Sequence, residues 1–225
     1  MKGKWRELGQ ELREVLGGRG SLVDAALPPL LFVIVNALWS LNGAIWITLS
    51  AAALLTAFRL IRGQSLKYAL GGLVAALVAI LSARLSNSAS AYFVPGIITA
   101  LLTALACGVS VIVGRPLVAW TSHLVRHWPW DWYWHPKVRP AYTEVTIAWA
   151  VFFVLKLVVQ ILLLREAQAG ALAAVQVIMG WPATIVLLVL SYLYGQWRLQ
   201  QLQGPSVSEF KTHAEPPWTG QRRGF

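Results

Sequence analysis

An all-α bundle that crosses a membrane several times is the fold this sequence predicts, and three observations carry it. There are six long apolar stretches; hydrophobic residues make up 57% of the chain and charged residues 12%; and nearly every Lys and Arg falls in alternate gaps between the stretches. A soluble domain carries about twice that charged fraction, and a spanning helix needs roughly 20 mainly apolar residues. The stretches are 22–41, 43–61, 67–85, 92–113, 142–164 and 170–197. They make one six-helix membrane domain over 21–197. It is preceded by an N-terminal segment, 1–20, interrupted by a Trp-rich loop at 114–141, and followed by a tail, 198–225.

Residues 5–16 place Trp5, Leu8, Leu12, Val15 and Leu16 on one helical face and charges on the other, which predicts a short interfacial helix. Segment 1–20 is too polar for a signal peptide, and no small-residue cleavage pattern follows it. The first span carries Pro28-Pro29, so a kink or break is expected there. Ser21 or Asp24 can cap its start, and Leu41-Asn42-Gly43 reads as the turn into the second span. Ala51, Ala52, Ala53 and Ala57 in the second span, and Gly71, Gly72, Ala75, Ala76 and Ala79 in the third, allow helices to approach closely, within one chain or between two. Cys107 reads as a small core residue of the fourth span.

Pro116 ends that span and can start a second surface helix, 117–128, with Leu117, Trp120, Leu124 and Trp128 in line. Next come Trp128, Trp130, Trp132, Tyr133 and Trp134 within seven positions. Amphipathic rings favour the headgroup level, so the plain reading is an aromatic belt. The sharper one is a docking surface for another subunit or a flat ligand.

The fifth span holds Lys156, with Gln160 one turn on and Thr146 and Trp149 on the same side. A lysine at that depth must be paired, hydrated or able to snorkel, and the outer end of the span is about 12 Å away at helical rise. Either it snorkels, or it faces the bundle with Gln160, Asn36 and Gln176 as an anion contact or interhelical bond. Asp24 and Glu144 fall near the boundary where Arg59 and Arg62 can pair with them. The last span carries Gly180-Trp181-Pro182 near its middle. With Pro28-Pro29 this gives an interrupted helix in each half, a pattern that marks substrate sites but arises more often from packing kinks. The Gln-, Pro- and Gly-rich tail 198–225 is expected to be disordered unless a partner holds it.

Orientation follows from charge. With the N-terminus in the cytoplasm, sixteen of the 19 basic residues fall on the cytoplasmic side, Arg84 and Arg165 on the other, and Lys156 within a helix. That bias predicts an even number of crossings of the inner membrane with both termini cytoplasmic. It also gives the net charge of +10 a plain explanation in anionic headgroups rather than nucleic acid.

Catalytic constellations are missing: there is no His-Glu-x-x-His, no Gly-x-Ser-x-Gly and no phosphate loop. His123, His127 and His135 share one loop without a carboxylate or thiol at ligand spacing. They read as interfacial histidines, with pigment or haem ligation the remote alternative, so neither a cofactor nor an enzyme is expected.

The order Gly17-Gly18, Gly20, Asp24, Leu27-Pro28, Arg59, Arg62, Gln64, Leu66, Pro95-Gly96, Arg115-Pro116-Leu117 and Met179-Gly180-Trp181-Pro182 resembles a bacterial membrane family of unknown function, domain-of-unknown-function family 3159. The Lys156–Gln160 pair resembles a basic–Gln pair of that family in which Arg is usual, and Lys lacks the planar fork. The resemblance implies a six-helix inner-membrane protein and no activity. Two function classes remain: a non-catalytic accessory or scaffold subunit of a membrane complex, or a homo-oligomer of that kind, and a small permease or channel for a polar or anionic solute. The first is preferred.

Overall fold

The computed structural model describes residues 21–63, 66–221 and 224–225. All regular structure in them is helical. The helices are α1 (Ser21–Leu38), α2 (Leu41–Ile61), α3 (Leu66–Leu85), α4 (Val94–Ile112), α5 (Leu117–Arg126), α6 (Trp130–Trp134), α7 (Arg139–Arg165), α8 (Ala169–Ile178), α9 (Trp181–Leu202) and α10 (Val207–Lys211), with a 3-10 turn at Ala89–Phe93. The interfacial helix expected over 5–16 lies outside the described residues.

Among the described residues four helical stretches are long and apolar enough to cross a membrane: Leu41–Ile61, Ala89–Ile112, Arg139–Arg165 and Ala169–Leu202. Leu27–Leu38 and Ala69–Leu85 are shorter apolar helical stretches. Large apolar side chains at the helix ends are mostly exposed, among them Leu38, Ile61, Leu85 and Ile112. Such exposure would be a liability in water and is ordinary against lipid.

The chain divides into two compact units, one comprising residues up to Ile98 with Val158–Ala183, the other Thr99–Leu157 with Thr184–Phe225. In the first unit α1 packs on α2 and α8, α2 on α3, and the 3-10 turn against α3 and α8. Its core joins Phe32, Ala44, Ile45, Ala79, Ile80, Ala83, Tyr92, Phe93 and Leu172. Phe32 stacks on Tyr92 with ring centres 4.2 Å apart. Ala44, Thr48, Ala52 and Thr56 recur every fourth residue on the buried face of α2, so small side chains bring α3 close enough for the Thr56 hydroxyl to reach the Ala69 carbonyl at 3.4 Å. Of the small residues predicted to allow close approach, Ala52, Ala76 and Ala79 are buried, while Ala53, Ala57, Gly71, Gly72 and Ala75 are exposed.

Local chemistry sets the helix limits. Ser40, not Asn42, makes the joint between the first two helices: its hydroxyl accepts the Gly43 N–H at 3.1 Å, because an extended residue with a short acceptor side chain satisfies an orphan donor of the first turn. Asn42 and Gly43 already belong to α2. α3, α4 and α7 end alike, on Asn87, Gly114 and Ala167 in the left-handed region. In each, the next N–H reaches back to the carbonyl five residues earlier: Ser88 to Ala83, Arg115 to Ser110, Gln168 to Leu163.

The two proline sites behave differently. α1 runs through Pro28 and Pro29 without interruption, so the expected break there is not made. The two missing N–H groups remove ladder bonds but leave the helix continuous. At the other site the helix does divide: α8 stops at Ile178 and α9 restarts at Trp181. A Cβ on Gly180 would collide with the Gln176 carbonyl oxygen, so only glycine fits that joint. Pro182 falls in the first turn of α9, where its absent N–H costs nothing.

The second unit builds its core outside the apolar middle of the spans. Ala119, Trp132, Tyr133, Val138, Ala141, Tyr142 and Leu199 form it, with Trp128, Trp134, Leu202, Val207, Phe210 and Phe225 packed around them.

Candidate functional site

Of the predicted docking residues, Trp132 and Tyr133 are fully buried and Trp128, Trp130 and Trp134 half-buried. Trp132 and Tyr133 belong to an internal aromatic core, which takes these two out of the expected belt or docking surface, while Trp128, Trp130 and Trp134 keep part of their surface exposed. The reason is local. His127 takes the left-handed conformation and ends α5, Pro129 then starts the single turn α6, and the reversal folds the rings back on α5. Trp128 leaves the predicted helical line and meets Trp132 edge-on at 5.1 Å. Tyr133 and Tyr142 meet edge-on at 5.1 Å, and the Ser122 and Tyr133 hydroxyls are 3.2 Å apart. Burial pushes the Tyr133 hydroxyl pKa up, partly offset by Ser122 and by the positive charge of Arg126.

The tail completes this core, which corrects the expectation of disorder. The indole N–H of Trp132 donates to the Pro205 carbonyl at 2.8 Å. Ser206 and Glu209 form a reciprocal cap at the start of α10; the Ser-x-x-Glu spacing was a readable signal. Glu209 also receives the main-chain N–H and hydroxyl of Thr219, each at 2.8 Å. These donors, with those of Ser206, pull its pKa down to about 2. The Phe225 ring stacks on Tyr142 at 4.4 Å and 9°, its main-chain oxygen accepts from Arg126 Nε at 3.1 Å, and a Cβ on Gly195 would collide with it. No sequence pattern announced Gly195 or Phe225.

In the first unit the structure joins two of the four predicted intramembrane polar residues. Gln160 Nε2 donates to Gln176 Oε1 at 3.2 Å. Gly96 gives the Gln176 amide room: a Cβ there would lie 3.3 Å from both of its polar atoms. Gln160 is fully buried, and its Oε1 has no hydrogen-bond partner. Asn36 is half-buried and takes no part in that bond. Lys156, one turn before Gln160 on α7, belongs to the second unit and is 9% exposed. In the same unit Thr146 donates to the Tyr142 carbonyl and accepts from Val118 N–H, and Trp149 donates to Ser191 at 2.9 Å.

Glu144 pairs with Arg198 rather than with Arg59 or Arg62: the guanidinium grips both carboxylate oxygens at 2.8–3.1 Å, and the Tyr194 hydroxyl adds a third donor at 2.7 Å. The planar fork of Arg on α9 meets the carboxylate of α7 side-on, a geometry sequence distance hides. The Arg62 guanidinium instead lies over Phe58, and the side chain of Asp24 is outside the described set. The three loop histidines do not converge. His123 stacks on Trp130 at 3.7 Å, with Nδ1 2.7 Å from the Trp128 carbonyl. His135 Nδ1 accepts the Lys137 N–H, and burial, then the Lys137 charge, lowers its pKa. Among the described residues no three His, Cys, Asp or Glu side chains form a metal-holding group.

Long apolar helices and large apolar side chains exposed along them suggest an α-helical membrane protein. The chain belongs to the family described as protein of unknown function (DUF3159), whose model matches residues 16–200. No curated protein and no solved structure matches it.

Proposed function

We propose that this protein is a six-span inner-membrane protein with both termini in the cytoplasm, acting as a non-catalytic scaffold or accessory subunit of a larger membrane assembly. The 20 residues of α3 reach about 30 Å and the 18 of α1 about 27 Å, close to the hydrocarbon thickness. With the four longer stretches they complete an even set. The charge bias supports the inward orientation.

The observation that carries the scaffold reading is the aromatic end of the second unit. Trp132 and Tyr133 pack with Val207, Phe210 and Phe225 of the tail, and Trp132 bonds Pro205, in a body beyond the apolar middle of the spans. A rigid body of that kind loses little freedom when a partner binds. Extraction in mild detergent followed by native-size measurement tests it. Stable co-migration with other membrane proteins is expected, whereas a small homo-oligomer that moves solute in liposomes would overturn it.

A second reading, a small permease, is favoured by one feature: the Gln160–Gln176 pair with its unbonded oxygen, one turn before the Gly180 joint. If Lys156 contacts a transported anion, Lys156→Met should abolish flux in liposomes while the fold survives. Unchanged flux rejects that role.

A further inference from the structure

Two arginines flank the point where α4 gives way to α5. Arg115 follows Gly114, whose left-handed backbone ends α4, and Arg139 opens α7. The Arg139 guanidinium lies beside Gly114, the residue before Arg115: a Cβ on Gly114 would be 3.6 Å from Arg139 Nη1. Both side chains are exposed. Neither pairs with Asp131, the one acid of segment 114–141.

Arg115 also begins a ladder. Its guanidinium carbon is 4.4 Å from the centre of the Trp134 ring. Trp134 stacks on Trp130 at 5.8 Å and 10°, and Trp130 lies 4.6 Å from Trp120. Trp120 shares the outer face of α5 with Leu124 and Val125, which are 69% and 66% exposed, while Ala119 and Ser122 bury the inner face. One surface of the second unit is therefore cationic at one end, aromatic in the middle and aliphatic at the other.

That sequence of chemistry matches a lipid read from headgroup to acyl chain. Guanidinium forks suit a phosphate diester. Indoles favour the level of the glycerol backbone, and an exposed aliphatic helix face favours the acyl boundary. Two cations without a carboxylate partner favour an acidic headgroup over a zwitterionic one. We propose that this face holds an acidic glycerophospholipid, with its phosphate shared by Arg115 and Arg139 and its chains against Trp120, Leu124 and Val125. The site needs the chain to lie in a membrane, but it is independent of the scaffold role.

Native mass spectrometry of the full chain, exchanged into equal phosphatidylglycerol and phosphatidylcholine, tests it. The unaltered chain should retain phosphatidylglycerol over phosphatidylcholine about tenfold or more, and R115Q/R139Q should lose that preference. R115K/R139K should keep part of it, and R84Q/R165Q all of it. Trp120→Ser with Leu124→Ser, which leaves both arginines in place, should weaken retention of both lipids. Equal retention by the unaltered chain and R115Q/R139Q would overturn the proposal. If R115Q/R139Q does not fold, undiminished retention by the Trp120/Leu124 variant overturns it instead. Displacement of the lipid by millimolar inorganic phosphate would also overturn it, by assigning the arginines to a soluble anion.

Discussion

The indole nitrogen of Trp132 donates to the carbonyl oxygen of Pro205 at 2.8 Å, across 73 residues of sequence. The bond joins the Trp-rich loop to the tail and makes a single body of two segments that composition alone would set apart. Trp132 is fully buried, so its replacement both opens a cavity and strands an acceptor.

Trp132→Phe should therefore cost about 3 kcal/mol of stability and expose the tail. Thermal unfolding in detergent and limited proteolysis over 212–217 both read this. A variant as stable and as resistant as the parent would mean that the bond does not hold the tail.

Glu209 predicts an acid limit for the same tail. Its folded pKa is drawn down to about 2 by the Thr219 and Ser206 donors, below the roughly 4.3 of a free glutamate. A depressed carboxylate contributes stability that is present above the unfolded value and lost as pH falls through the folded one. The tail should thus stay docked at pH 5 and loosen between about pH 4 and 2, followed by Trp218 emission. Glu209→Gln should loosen it at neutral pH and flatten the acid transition. An unchanged transition in that variant would assign the acid response to other groups.

The amide pair invites a double-mutant cycle. Gln176→Leu leaves the Gln160 amide buried with neither polar atom bonded, at a cost of about 1–2 kcal/mol. Adding Gln160→Leu removes the stranded group, so the double variant should recover most of that loss. Strictly additive losses would show that the two side chains do not interact.

Gly180→Ala places a Cβ against the Gln176 carbonyl oxygen. The joint between α8 and α9 must shift, which should cost about 1–3 kcal/mol and lower the melting temperature in detergent. Unaltered melting would show that the joint has slack.

The helices themselves were legible. Apolar runs of about 20 residues and the punctuation at Pro116 and Gly180 mark α2 to α4, α7 and the divided α8–α9 to within about three residues, except that α9 continues to Leu202, past the predicted end at 197. Pairing was less so. Gln160 and Gln176 could be grouped because polar residues are scarce in the spans, yet Asn36 is equally scarce and stays outside the bond. Glu144 was assigned to arginines on the wrong helices because nearness in membrane depth says nothing about which helix faces which. The five rings of 128–134 were legible as a cluster, but not that Trp132 and Tyr133 turn into a core while the other three keep a surface: amphipathic side chains suit an interface and an interior equally, and the left-handed turn at His127 sorts them. The tail misled for a related reason. Its own composition cannot bury a core, but it needs only to cap one that the loop and helix ends already make.

Reporter fusions at each terminus test the central claim most directly, that the chain crosses the bilayer an even number of times with its cationic rim inside. Fused in turn to a protein that fluoresces only in the cytoplasm and to an enzyme active only outside it, both ends should give fluorescence and no enzyme activity. Signals on opposite faces, one from each end, would contradict it.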